Sequence, residues 1–291
     1  GFSWAFQPAT RRASAVGSCS SLTALFTALA IGFSIGAGVL ISQYFGANRL
    51  EELRRYAASS IVLMLLLGLL MSVIGFCSAE LLLARFLGTP QALLPQATLY
   101  FTIYAAGLVF QFGYNIAAAI LRALGDSKAT LYFLLVSSVL NVALDLLFVA
   151  AFRMGVAGAA IATVISQFFS ALFTVLFLFS KKVEVRLGVG GYDKKIIGKI
   201  LLLGFSPFII IATDSVMILA LNKVLRTYGG ERADELISAA TIMLSFMQII
   251  TLPLGGISGG TQPALSYNYG ANRPDRVKKC EGWILGSCIL Y

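Results

Sequence analysis

Gly32-Phe33-Ser34-Ile35-Gly36, followed at position 46 by Gly46-Ala47-Asn48-Arg49, returns 224 residues further on as Gly256-Ile257-Ser258-Gly259-Gly260 and Gly270-Ala271-Asn272-Arg273. Across the eighteen positions from 32 to 49 the two copies agree at eight, Ser42 matching Ser266 among them. A glycine- and alanine-rich apolar composition gives roughly one or two such matches by chance. Repetition at a fixed period fixes architecture ahead of any local motif, so the chain is read outward from this pair.

With 58% hydrophobic residues, 12% charged residues and a mean hydropathy of +0.86, the 291 residues hold too little polar surface to cover a soluble globule. The composition predicts an all-α polytopic membrane protein. Residues 13–48, 56–79, 86–121, 154–180 and 236–272 contain no Asp, Glu, Lys or Arg. Each supplies the ~20 residues that a helix needs to span a bilayer. Two further spans, near 129–151 and 200–222, each carry a single acid, Asp145 and Asp214. The expectation is seven complete spans and the start of an eighth at 282–291.

The net charge of +9 follows loops rather than a nucleic-acid-binding patch. With the Gly46 loop on the cytoplasmic side, alternate loops hold fifteen Lys and Arg residues and the opposite side seven, as the positive-inside rule expects. Both copies of the repeat end in Gly, Asn and a basic run, Arg54-Arg55 and Lys278-Lys279, so both exit on that side and an even number of crossings separates them. Six spans lie between them. The halves are therefore six-helix units of the same orientation, related by an axis along the membrane normal.

A 224-residue unit used twice predicts about 450 residues, so the chain reads as truncated at both ends. Residues 1–13 are an atypical N-terminal segment where a first helix is missing. Residues 14–180 form an N-terminal lobe, 181–199 a cytoplasmic loop, and 200–291 an incomplete C-terminal lobe. The pairs Gly32/Gly36 and Gly256/Gly260 fit small-residue helix packing, and Gly46 and Gly270 fit C-terminal helix stops.

Cys19, Cys77, Cys280 and Cys288 show no CxxC spacing, and the chain has no His; zinc and haem sites lack ligands. Charged groups at membrane depth cost about 2.5–3.5 kcal/mol each on insertion scales, which singles out the two intramembrane acids. Asn141 precedes Asp145 by one helical turn on the same face. Asp145 lies nine residues before Met154 and Thr163 nine after it, which places both roughly 13 Å from the turn on adjacent antiparallel helices. An amide, a carboxylate and a hydroxyl at one depth suit sodium, or a carboxyl that carries a proton. The bland alternative is that Asn141 and Asp145 hydrogen-bond to neighbouring helices. Asp214 admits three readings: a second coupling acid, a counter-charge for a cationic substrate, or a partner for a basic loop residue. Pro253 and Pro263 bracket the Gly255–Gly260 run and predict a broken helix, with Gln262 facing a cavity.

Leu121-Arg122-Ala123-Leu124-Gly125-Asp126, Asn141-Val142-Ala143-Leu144-Asp145, Gly158-Ala159-Ala160-Ile161-Ala162-Thr163 and the stretch Gln262 to Ala271 (QPALSYNYGA) together resemble the multidrug and toxic compound extrusion (MATE) family of secondary transporters, from residue 14 onward. The resemblance implies a twelve-helix fold of six plus six helices around a central cavity. Drugs or organic cations would be exported by alternating access, coupled to influx of Na+ or H+. It implies a coupling-ion site at Asn141, Asp145 and Thr163, completed by a carboxylate on the absent first helix. Asp214, Asn222 and Gln262 would line the substrate cavity. The implied setting is a bacterial inner membrane, with the chain a monomer, its partners small molecules and the bilayer, and no cofactor beyond the ion. A lipid-linked oligosaccharide flippase of the same superfamily would need basic residues in the spans, which hold none. A non-functional fragment is a further alternative. A membrane-embedded enzyme would need paired acid motifs or His, and neither is present.

Overall fold

The structure, a computed structural model, describes residues 9–87, 89, 91–183, 185–187, 190 and 192–291. Nine α-helices follow one another among these residues: α1 (Ala9–Gly46), α2 (Leu50–Leu81), α3 (Leu94–Ala106), α4 (Leu108–Ala123), α5 (Ser127–Asp145), α6 (Gly155–Leu178), α7 (Lys194–Tyr228), α8 (Ala233–Gly270) and α9 (Pro274–Leu290). Six are long and apolar enough to cross a bilayer, and α3 and α4 form a seventh crossing that bends by 46°. Such helices satisfy every backbone group internally, which lipid demands. The helix at the chain end begins at Pro274, eight residues earlier than the apolar run alone predicts, because Pro sits well at a first helical position. The charge-free run 86–121 is not one rod: helix resumes only at Leu94 and breaks again at Gly107. Residues 9–13, expected to lie outside the bundle, extend α1, and residues 1–8 lie outside the described residues.

The Leu121–Asp126 phrase is a stop and a start. Gly125 takes φ +91°, Asp126 N–H donates to the Leu121 carbonyl, and the Asp126 carboxylate accepts from Ala129 N–H at 3.0 Å to cap α5. One short motif thus ends a helix with a left-handed glycine and begins the next with an acid.

A helix apolar on all sides belongs in the interior, and α1 is that helix. It packs against α2, α3, α4, α7 and α8, most extensively against α7. Glycines set these approaches. A Cβ on Gly32 would lie 2.6 Å from the Phe208 Cα, and one on Gly36 would lie 2.7 Å from the Gly204 Cα, so α1 and α7 touch backbone to backbone. The packing reading of Gly32 and Gly36 therefore holds for the first copy. In the second copy nothing described lies within 4 Å of a Cβ on Gly256 or Gly260.

Gly46 and Gly270 are the last residues of α1 and α8, as expected of helix stops, but not in the left-handed conformation. Neither has a positive φ; that conformation falls to Asn48 (φ 56°) and Asn272 (φ 52°), two residues on in each copy. The glycines serve the crossing of α1 and α8 instead. A Cβ on Gly46 would overlap the Tyr267 carbonyl oxygen, and one on Gly270 would overlap the Gln43 carbonyl oxygen. Positions 43 and 267 are themselves repeat equivalents, so the contact is reciprocal, as across a two-fold axis. Because α1 and α8 run the same way, that axis lies along their length. The loops after them match bond for bond: Asn48 N–H to Phe45 O and Arg49 N–H to Tyr44 O, each 3.0 Å, against Asn272 N–H to Tyr269 O at 3.0 Å and Arg273 N–H to Asn268 O at 3.1 Å. The tandem parallel repeat is thus a geometric fact of the fold.

The prolines of α8 do not break it. The helix runs unbroken through Pro253 and Pro263 to Gly270, contrary to the sequence expectation. A proline leaves the carbonyl four residues earlier without its helical donor. For Pro253 that carbonyl belongs to Ile249, and it accepts the Tyr291 hydroxyl at 3.3 Å.

Substituting Gly46→Ala or Gly270→Ala inserts a methyl where backbone already lies, an overpacking worth ~1–3 kcal/mol. The melting temperature of the purified protein in detergent should fall by roughly 5 °C. Gly255→Ala, which meets nothing within 4 Å, should leave it unchanged or raise it, since Ala favours helix.

Candidate coupling site

On α5 the residues that face the bundle recur at Ser137, Asn141, Leu144, Asp145 and Phe148, while Val139 (70% exposed), Val142 and Leu146 point outward. Asn141 and Asp145 therefore lie on the inner stripe. Both carry atoms with no solvent contact and no protein partner: the Asn141 amide nitrogen and one Asp145 carboxylate oxygen. Leaving such groups unpaired costs ~1–3 kcal/mol each. Among the described residues no neighbouring helix satisfies these two atoms.

Packing of α5 on α6 sets the third group. Ser137 Oγ donates to the Ser166 carbonyl at 3.0 Å, and counting three residues from that contact puts Thr163 level with Val139–Asn141. Asp145 falls about one helical turn closer to the connection. Equal spacing from Met154 misplaces this register because the chain leaves α-geometry after Asp145. Residues Leu146–Ala151 wind as a π-turn, closed by Phe152 N–H to Leu147 O at 2.9 Å, and the tighter rise absorbs chain length. Such turns inside helices concentrate at functional positions. Thr163 gives its proton to Ala159 O at 2.9 Å and keeps its lone pairs free to accept.

Further polar side chains lie on α3, α4 and α6. Tyr100 of α3 stacks on Tyr104, ring centroids 6.2 Å apart. Tyr104 donates to Gln111 Oε1 at 2.9 Å, and Gln111 Nε2 donates to Thr27 Oγ1 on α1 at 2.8 Å. Gln167 lies one turn after Thr163 on α6, its amide oxygen buried without a described partner. Sequence reasoning singled out acids and passed over these neutral groups. Their signal is the i,i+4 spacing of polar residues in charge-free spans: 100 and 104, 111 and 115, 163 and 167. The break between α3 and α4 serves the same region, because a Cβ on Gly107 would sit 2.6 Å from Val164 Cγ2, next to Thr163.

The residues expected to line the substrate cavity are spread along the second half. Asp214 is exposed on α7, Asn222 lies two turns further along the same helix, and Gln262 is half-buried on α8. None lines the cavity of about 710 Å³ beneath the α1–α8 crossing, which is bounded by Gln43, Tyr44, Arg49, Tyr269, Arg273 and Lys278. That cavity is far from the acid–amide pair in the fold. It borders Val277, whose repeat equivalent Leu53 is fully buried in the first half.

The described residues thus form an all-helical, multi-pass bundle in which the α1 and α8 segments are parallel repeats. A family profile described as MatE matches residues 10–147. The "Probable multidrug resistance protein YpnP" of Bacillus subtilis (strain 168) is 32% identical over 266 residues, covering 91% of this chain and 58% of that protein. A solved structure described as the outward-facing conformation of a multidrug resistance MATE family transporter of the MOP superfamily superposes with a TM-score of 0.82 at 25% identity, over 97% of this chain and 62% of that one. One described as the inward-facing conformation of such a transporter gives 0.73 at 25% identity, over 95% and 62%. The chain belongs to the MATE family. It spans about three-fifths of the length of the relatives it matches.

Gly107→Ala should push α6 away from the α3–α4 break and lower the melting temperature, and Val164→Ala should restore it. A double-mutant cycle should return an interaction of ~1–3 kcal/mol. Strictly additive effects would show that this contact does not set the bend.

Proposed function

We propose that the chain forms the first half, and part of the second, of an antiporter that exports drugs or organic cations by alternating access in exchange for Na+ or H+. The single observation that carries this reading is the unpaired Asp145 oxygen one turn from the unpaired Asn141 amide, which lies level with Thr163. An isolated carboxylate there is unfavourable, and a bound sodium ion or a proton relieves it. Cation binding then favours the state that releases substrate. One charge crossing 100 mV supplies about 2.3 kcal/mol, enough for roughly fifty-fold accumulation.

The reading includes a state. The distribution of basic residues supports a cytoplasmic location for the Gly46 and Gly270 loops. On that orientation α1 and α8 converge at their cytoplasmic ends through the reciprocal glycines Gly46 and Gly270, which supports a state that opens outward. The higher TM-score to the outward-facing relative supports the same assignment.

Asp145→Asn in the full-length gene product should reduce drug efflux from cells at least about tenfold, the effect of losing ~1.4 kcal/mol or more of coupling. Efflux into vesicles driven by a sodium gradient alone, or by a pH gradient alone, identifies the ion. Unchanged efflux at normal expression would remove Asp145 from the mechanism.

A further inference from the structure

The α3–α4 break packs on α6 beside Thr163, a Cβ on Gly107 lying 2.6 Å from Val164 Cγ2, and polar contacts run from it in one direction. Tyr104 donates to Gln111 Oε1 on α4 at 2.9 Å, and Gln111 Nε2 donates to Thr27 Oγ1 on α1 at 2.8 Å. Thr27 passes its own proton to the Thr23 carbonyl at 2.8 Å, inside α1. The chain links α3, α4 and α1 and bridges the Gly107 break through residues 104 and 111. It ends on the one described helix that touches α7 and α8 extensively while also packing against α2, α3 and α4.

We propose that Tyr104, Gln111 and Thr27 are positioning residues that transmit occupancy of the Asn141–Asp145–Thr163 site to α1. This rests on that trio being the coupling site. Each donor in the chain has one acceptor, so a shift of α3 against α4 that rotates the Tyr104 hydroxyl leaves a hydroxyl or amide unpaired unless α1 follows. In a low-dielectric interior that penalty acts along the whole chain rather than at one bond. The bend matters for the same reason. Gly107 allows α3 and α4 to change their mutual angle, and the Tyr104–Gln111 bond is what resists the change. α1 thereby senses the site without contributing a ligand to it.

The test uses full-length protein in proteoliposomes. It measures binding of sodium and release of protons, the distance between spin labels at Ala24→Cys on α1 and Val139→Cys on α5 in a background with native cysteines replaced by alanine, and drug efflux. Thr27→Val and Gln111→Met should bind the ion within about twofold of the parent, lose the ion-dependent change in distance, and export at least about fivefold more slowly, the low end of ordinary coupling between sites. Thr27→Ser keeps the hydroxyl and should match the parent in all three. A distance response retained in Thr27→Val, lost equally in Thr27→Ser, or absent from the parent overturns the linkage. Unaltered ion binding in Asp145→Asn would instead overturn the coupling-site reading, whatever the Thr27 variants do.

Discussion

Everything in this fold depends on the backbone contact of α1 with α8. Two helices approach so closely that only glycine fits at Gly46 and Gly270, each against the carbonyl of the other copy's fourth-last residue. In lipid there is no hydrophobic drive between helices, so association rests on van der Waals contact and on polar groups. Glycine maximises the former by letting backbone meet backbone. The same device joins α1 to α7 at Gly32, Gly36 and Gly204. The interior of the first half then assembles around α1, with Phe101, Phe112, Leu53, Met64 and Ile116 buried between α1, α2, α3 and α4.

Polar groups at depth are few, and most have assigned tasks. Serine and threonine hydroxyls return to the carbonyl one turn back, as Ser60 does to Tyr56 at 2.6 Å and Thr174 to Ser170 at 2.7 Å. The Ile249 carbonyl released by Pro253 finds Tyr291. Other buried atoms, among them Ser34 Oγ, Ser59 Oγ, Ser72 Oγ and Gln167 Oε1, share with Asn141 Nδ2 and one Asp145 oxygen the lack of a described partner. Asn141 and Asp145 differ from these in pairing an amide with an acid one turn apart on one helix face.

The sequence made the architecture legible because a 224-residue repeat and charge-free runs are global signals that no local detail overrides. The seven crossings and the two-fold relation follow directly. Local geometry was harder to read. A glycine such as Gly107 looks like any other small residue in an apolar run, and only the Val164 side chain opposite it turns it into a break. Pro253 and Pro263 looked like breaks and are not, because a membrane helix can carry proline when something else meets the freed carbonyl. Gly46 and Gly270 end α1 and α8 as read, but the left-handed turn belongs to Asn48 and Asn272, and the close approach of the two helices at the glycines was not legible. Charge cost and spacing single out Asn141, Asp145 and Thr163 as candidates, with the register of Asp145 shifted by the π-turn after it, whereas the bonded pair Tyr104 and Gln111 is hidden because both are neutral.

The crossing at Gly46 also has the geometry of a fulcrum. α1 has 38 residues, so at 1.5 Å each it is a rod of about 57 Å pinned at one end. A tilt of about 10° about that pin moves its far end by roughly 10 Å, while the pinned glycines shift by fractions of an ångström. A contact too tight to tolerate a methyl group can therefore stay closed while the opposite mouth of the molecule changes width by several side chains. The shortest distance in the fold sets the leverage of its longest helix.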